Sequence, residues 1–295
     1  MYLRSPFMVE HEKLFKNVDN RKVAEYAFAQ GDNKELLYAD NMGTTITRDE
    51  IHSLIEDKHM LNNVVDAYVC LLNFENKRRG VDKKSRFFFS TECYLICCTE
   101  KYFKSNERQD DRMKALFDRM QQEMTTTGVT SFKSIQLVFF PVVLPDHYYL
   151  LCVNFVEGTF DLIDNIFLPP NIPFHNKYGN YHRLMLNAFA DFVHSIDSNI
   201  KSDFVSSFKT RNLSMSWKSN KNKHDCGVFL LKHMETYEGE SVKQWNSGLE
   251  LDNFDQMKKL RVEYCGKIIT AEVNEERNKV IRRSKKWSKE NKMDI

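Results

Sequence analysis

The apolar residues change rhythm along the chain, and the rhythm predicts the elements. Residues 1–45 are mixed and polar, with a short helix expected over 21–30 and a Gly31-Asp32-Asn33 turn after it. This stretch reads as an extension ahead of the main domain. Thr45-Ile46-Thr47-Arg48-Asp49-Glu50, followed by Ile51, Leu54 and Ile55, has the polar start and apolar sequel of a helix N-terminus. A second helix starts at Asn62 or Asn63 with Val64, Val65, Tyr68, Val69, Leu71 and Leu72 as its apolar side. The aromatic run Phe87-Phe88-Phe89 leads into a helical stretch over 92–101. Residues 105–128 are highly charged, yet Met113, Leu116, Phe117 and Met120 recur at three- and four-residue steps, which predicts an amphipathic helix rather than a linker.

The period then shortens. Strands are expected over 134–140, 148–155 and 159–164, with Glu157-Gly158-Thr159 as a tight hairpin turn between the last two. A Pro-rich loop at 168–173 interrupts, and a helix carrying Leu184, Leu186, Phe189, Phe192 and Val193 follows. Residues 209–217 suggest one more strand, and 226–235 a buried helix. The charged end from Glu275 contains Arg282-Arg283-Ser284-Lys285-Lys286 and reads as a solvated helix or a disordered tail. That basic run is either a short nuclear address or a helix end. The domain proper is expected over 46–274, with 1–45 and 275–295 outside its core.

Composition narrows the class. The 295 residues are 42% hydrophobic with 22 Phe, enough to bury a real core. A net charge of +2 lacks the basic excess of a dedicated nucleic-acid binder. No run of about 18 apolar residues suggests a membrane span. Residues 1–10 have no long apolar stretch. Cysteine usage is odd and irregular, at seven residues, so a disulfide framework is not expected and a reducing compartment, nucleus or cytoplasm, is. Cys93, Cys97 and Cys98 cluster, but no second Cys/His pair at zinc-finger spacing joins them; buried thiols in a core helix are the expected reading.

One cysteine has a different setting. Cys226 follows a polar loop and opens an apolar helical run, His224-Asp225-Cys226-Gly227-Val228-Phe229-Leu230-Leu231. A sulfur at a helix N-terminus faces the positive end of the dipole and free N–H groups, as a thiolate nucleophile requires. Gly227 would let a substrate backbone approach. A base must come from elsewhere. Of nine histidines, His147 is the best placed: it follows the breaker Leu144-Pro145-Asp146 and opens a strand. The hairpin register puts the start of that strand beside the end of the next, so Asp164 is expected to orient the ring. Asp161 is the rival but lies nearer the turn. His224, two residues from the thiol, reads as a solvent-facing loop histidine.

These residues, in this order, resemble the ubiquitin-like-protein-specific proteases, the SUMO and NEDD8 protease family. Asp225-Cys226-Gly227 before aliphatic and aromatic residues, His147-Tyr148-Tyr149-Leu150, and Leu162-Ile163-Asp164-Asn165 carry the resemblance, which spans residues 45–237. Phe87-Phe88-Phe89-Ser90-Thr91 matches a Phe-Phe segment of the family. The resemblance implies an α+β, papain-like fold with a central mixed sheet and the nucleophile at a helix N-terminus. It also implies a catalytic set of Cys226, His147, Asp164 and, on the oxyanion side, Asn220. Asn220 stands where the family has Gln, Tyr148 where Trp is usual beside the His, and Met60 where Trp precedes the Leu61 segment. The implied activity is hydrolysis after the C-terminal Gly-Gly of a ubiquitin-like modifier, in maturation or deconjugation, with no cofactor or metal. The partner would be a SUMO- or NEDD8-like protein and its conjugates, met by a monomer without nucleic acid or membrane. Specificity would lie across 62–73 and the segment before Cys226. Two other readings stay open: a non-catalytic binding module on the same fold, and an acyltransferase with the same Cys/His layout.

Overall fold

The computed structural model describes residues 19–80, 82–98, 109–168, 171–222 and 224–291. A five-stranded mixed sheet organises the chain, in the order β3-β4-β5-β6-β7. Its strands are β3 (Arg86–Phe88), β4 (Leu137–Leu144), β5 (His147–Asn154), β6 (Thr159–Ile163) and β7 (Lys209–Asn212). The two outer pairs, β3 with β4 and β6 with β7, are parallel; β4, β5 and β6 form an antiparallel meander. β4 runs four residues past its expected end, through Pro141. β3 covers only Leu137 to Phe139. Beyond that point β4 is an edge, where proline's missing N–H costs no ladder bond. β7 is shorter than expected, ending at Asn212 before the chain turns inward to bury Trp217.

Alternation along β5 separates two cores. Leu150 and Cys152 face one side; Tyr149, Leu151 and Val153 face the other. The second side packs on α4 (Thr91–Cys98), α5 (Gln109–Thr127) and α7 (Tyr181–Ile196), through Met120, Met124, Phe189 and Phe192. Here Cys93, Cys97 and Cys98 are buried thiols. The expected helix ends at 99–101 and 105–108 lie outside the described residues. The first side packs on α3 (Asn62–Asn76), α9 (Cys226–Thr236) and α10 (Phe254–Thr270). Thr47 and Glu50 close a capping box on α2 (Arg48–Ile51), the helix start expected there.

The chain's two flanks correct an expectation. Both were placed outside the core, and both contribute to it. α1 (Asn20–Phe28) buries Val23, Ala24 and Ala27, and α11 (Arg277–Glu290) buries Val280 and Ile281 in the same core. Gly266 permits the approach of α1: a Cβ there would lie 2.5 Å from the Asn20 carbonyl oxygen. The hairpin β1 (Leu36–Ala39) and β2 (Thr45–Thr47) is held by Asn274, which donates to the Leu37 carbonyl at 2.9 Å and accepts from the Ala39 N–H at 3.1 Å. The basic run 282–286 lies in α11, with Ser284 buried and Arg283 paired to Glu35 at 3.0 Å. Among the described residues, no helix is long and apolar enough to cross a membrane.

Candidate active site

The register of β5 on β6 brings the polar groups together. Leu150 lies opposite Ile163. His147 at the start of β5 and Asp164 just past β6 therefore reach the same end of the sheet. His147 Nε2 lies 2.8 Å from Asp164 Oδ1. Asp161 is opposite Cys152, further in. It is held by Arg211 Nε at 2.6 Å, Arg211 Nη2 at 2.9 Å and the Tyr237 hydroxyl at 2.8 Å, away from His147.

Asp164 is fully buried and saturated with donors. The Ile166 N–H donates to Oδ1 at 2.9 Å, and the Tyr178 hydroxyl donates to Oδ2 at 2.9 Å. Lys177 Nζ sits 2.8 Å from the same Oδ2. Both side chains come from the short helix α6 (Phe174–Tyr178). Burial by itself would raise the Asp164 pKa, but the hydrogen bond and charge of His147 and the charge of Lys177 reverse this and hold it well below the usual range. Burial also opposes charging the His147 ring. Hydrogen bonding with Asp164 and Cys226 outweighs it, and the pKa is raised to about 9. The ring thus has a carboxylate on its Nε2 side and the thiol as its other neighbour.

Cys226 is the first residue of α9 and is 2% exposed. Asp225 precedes it at the N-cap but makes no capping bond with its side chain. Its carboxylate instead accepts from Arg261 Nε at 2.7 Å and Asn222 Nδ2 at 2.6 Å. With the N-cap carboxylate turned away, the first-turn N–H groups of α9 remain for an anion at the thiol's position. Gly227 has a different role from the one expected. A Cβ there would meet Met60 Cβ at 2.7 Å, so the missing side chain makes room for Met60, not for a substrate backbone. Met60 is buried, and its carbonyl accepts from the Tyr148 hydroxyl at 2.9 Å. Tyr148 and Met60, the two residues standing where the resemblance leads to an expectation of Trp, thus hold each other. Asn220 is exposed, and its Oδ1 accepts from the Phe167 N–H at 3.1 Å, which leaves the amide nitrogen as the donor end. The His224 ring faces His59.

Sequence reasoning missed Arg261, Lys177 and Tyr178. Arg261 is 2% exposed and spends its guanidinium on the frame around the site. Besides Asp225, it donates to the carbonyls of Ser53 (3.2 Å), Ile55 (3.0 Å), Lys58 (2.9 Å) and His224 (2.9 Å). A signal existed: Arg261 falls in the apolar stripe of α10 with Met257, Tyr264 and Ile268, and a charge in such a stripe needs internal partners. Lys177-Tyr178 carried no local mark.

A thiol at an uncapped helix N-terminus, an imidazole on the adjoining sheet and a buried carboxylate behind it make up the arrangement of a papain-like cysteine peptidase. Comparison with known families narrows the class. The profile of the Ulp1 protease family, C-terminal catalytic domain, matches residues 58–273. The chain belongs to this family of cysteine proteases. Among solved structures, it is similar to the C-terminal Ulp1 protease domain in complex with Smt3, the yeast ortholog of SUMO, at 14% identity and a TM-score of 0.59, covering 87% of this chain and 96% of that one. The Ulp1-like SUMO protease catalytic domain of Chaetomium thermophilum is similar at 11% identity and a TM-score of 0.56, covering 86% and 90%. At these identities the likeness is one of fold. A search of curated protein sequences found no match.

Proposed function

We propose that this chain hydrolyses the bond after the C-terminal Gly-Gly of a SUMO-like modifier, in maturation or deconjugation. The observation that carries the reading is the part-buried His147–Asp164 pair at 2.8 Å beside the Cys226 thiol, in a domain of the Ulp1 protease family. Cys226 attacks the carbonyl, and His147 takes the thiol proton. His147 protonates the leaving amine and then takes a proton from water. Asp164 orients the ring. The Cys226 N–H and the Asn220 amide hold the oxyanion. The naming of Smt3 with a structural neighbour favours a SUMO-like over a NEDD8-like partner. Buried free thiols suit a reducing compartment, nucleus or cytoplasm.

A SUMO bearing a C-terminal electrophile tests the reading. Labelling is expected with the parent chain and lost in Cys226→Ala; His147→Ala should slow it severely. Labelling that survives Cys226→Ala removes the thiol from its role. One observation favours a second reading, a binding module with little turnover: Asn220, the proposed oxyanion donor, is solvent-exposed, where a hydrogen bond to developing charge is worth less than in a buried site. Micromolar binding of SUMO without labelling or cleavage would select it.

A further inference from the structure

His59 and His224 have no part in the proposed catalytic arrangement, although both lie within the span matched by the family profile. They come from separate segments: His59 from the loop ahead of α3, His224 from the loop ahead of α9. Their rings nonetheless meet, with His224 Nδ1 3.3 Å from His59 Nε2 and ring centroids 5.0 Å apart at 65°. Both side chains are exposed. At 3.3 Å the contact is long for a hydrogen bond between ring nitrogens. It matches a different requirement. Two imidazoles bound to one tetrahedral zinc at roughly 2.0–2.1 Å have nitrogens about 3.3–3.4 Å apart.

The pair is also built rather than incidental. One nitrogen of the buried Arg261, Nη2, donates at 2.9 Å both to the carbonyl of Lys58, next to His59, and to the carbonyl of His224 itself. A rigid, 2%-exposed side chain therefore fixes the two backbones that present the rings. Such a frame lowers the cost of organising a ligand pair. The nearest carboxylate in sequence, Asp225, is held by Arg261 and Asn222 and is not free to join. Among the described residues, no group of three or more His, Cys, Asp or Glu is placed to hold a metal. The pair would be completed by water.

We propose that His59 and His224 bind a zinc ion, with water filling its remaining positions, at the lip beside Cys226. Zinc there bridges the 55–60 loop to the loop ahead of the nucleophile. Met60, next to His59, packs over Gly227, so the ion restrains the lip without touching the reacting atoms. Two imidazoles and no thiolate give modest affinity, which makes the site responsive to free zinc rather than permanently filled. The inference does not depend on turnover by Cys226.

Calorimetric titration of the full chain with zinc chloride tests it in a Cys226→Ala background, which removes the thiol as a competing ligand. One zinc per chain is expected, in the micromolar range. Adding His59→Ala or His224→Ala should each weaken binding at least tenfold. Because both rings are exposed, the metal-free thermal midpoints should match the Cys226→Ala parent, and zinc should raise the midpoint of the parent alone. Failure of Cys226→Ala to bind zinc overturns the proposal, since the thiol would then be the ligand. A change under threefold in either histidine variant also overturns it, because the ion would lie elsewhere.

Discussion

Lys177 shares Asp164 with His147, so one carboxylate answers to two cations. The ammonium on Oδ2 draws on the same negative charge that stabilises the imidazolium through Oδ1. Replacing Lys177 by Met, which keeps the stem and removes the charge, should raise the His147 pKa. The alkaline limb of kcat/KM should move up by roughly half to one pH unit, taking the cation–cation repulsion as about 1 kcal/mol. A variant that lost activity with its pH limb unmoved would make Lys177 a packing residue only. Asn220 gives a second prediction at this scale. A well-placed oxyanion donor contributes about 10²–10³ in rate. If the shorter side chain under-reaches, Asn220→Gln should raise kcat; a fall would mean that the bond to Phe167 has reshaped the loop around Asn. The placements of Cys226, His147 and Asp164 were legible because each stands beside a break in pattern: a helix start or a strand end. Lys177 and Tyr178 were not, because their role depends on where α6 lands in space after a loop of no fixed direction.

The helices at the two flanks show what pattern reading loses at the level of elements. α11 is strongly basic, and its inward stripe is narrow: Val280, Ile281 and Ser284, with Trp287 partly buried against α1. Few apolar residues among many charges look like a solvated face, yet the stripe fills a gap that only the folded α1 and α10 create. Ile281→Ala should therefore cost about 2–5 kcal/mol in urea unfolding, as at a fully buried site. A loss under half a kilocalorie per mole would return α11 to the surface. Gly227 carries the companion prediction. Alanine there drives a methyl into Met60 and should cost about 1–3 kcal/mol. Met60→Gly, which removes the clashing Cβ along with the rest of the side chain, should recover part of that loss in the double variant, which a backbone-entropy effect of Gly227 would not allow.

For the whole molecule, the buried ion pair links stability to pH. The folded His147 pKa is about 9 against an ordinary 6.5, so its stabilisation is complete below about 6.5 and fades as pH rises through about 9. Asp164 is shifted the opposite way from its ordinary 3.8, so its contribution is present above that value and is lost as pH falls below it. The stability difference between the parent and His147→Gln should be greatest from about pH 4 to 6.5 and shrink on both sides. A difference flat from pH 4 to 10 would mean that the pair is not ionised as described. The mixed sheet was implied by the family resemblance alone, since Arg86–Phe88 is too short to show a period. The later meander strands and the helix behind the nucleophile were readable from residue periodicity, because period two and period 3.6 survive in single segments. The closure of the molecule was not. It rests on Asn274 reaching back to Leu37 and Ala39, and on Arg261 reaching back to residues 53–58. These are polar contacts over long separations, and even where a position is marked, as Arg261 is in its apolar stripe, the pattern does not name the distant partner.

Arg261 also sets an order in time. Chains are made from the N-terminus at about 5–20 residues per second. The guanidinium that holds Asp225 lies 36 positions after it, so about 2–7 s of synthesis separate the two. During that interval the segment bearing the thiol has emerged but lacks the group that shapes it. A newly made chain therefore exposes the Cys226 segment before the helix that frames it has emerged, and the proposed nucleophile is framed only as that later helix docks. The same residue that frames the mature cleft acts as a delay during biosynthesis.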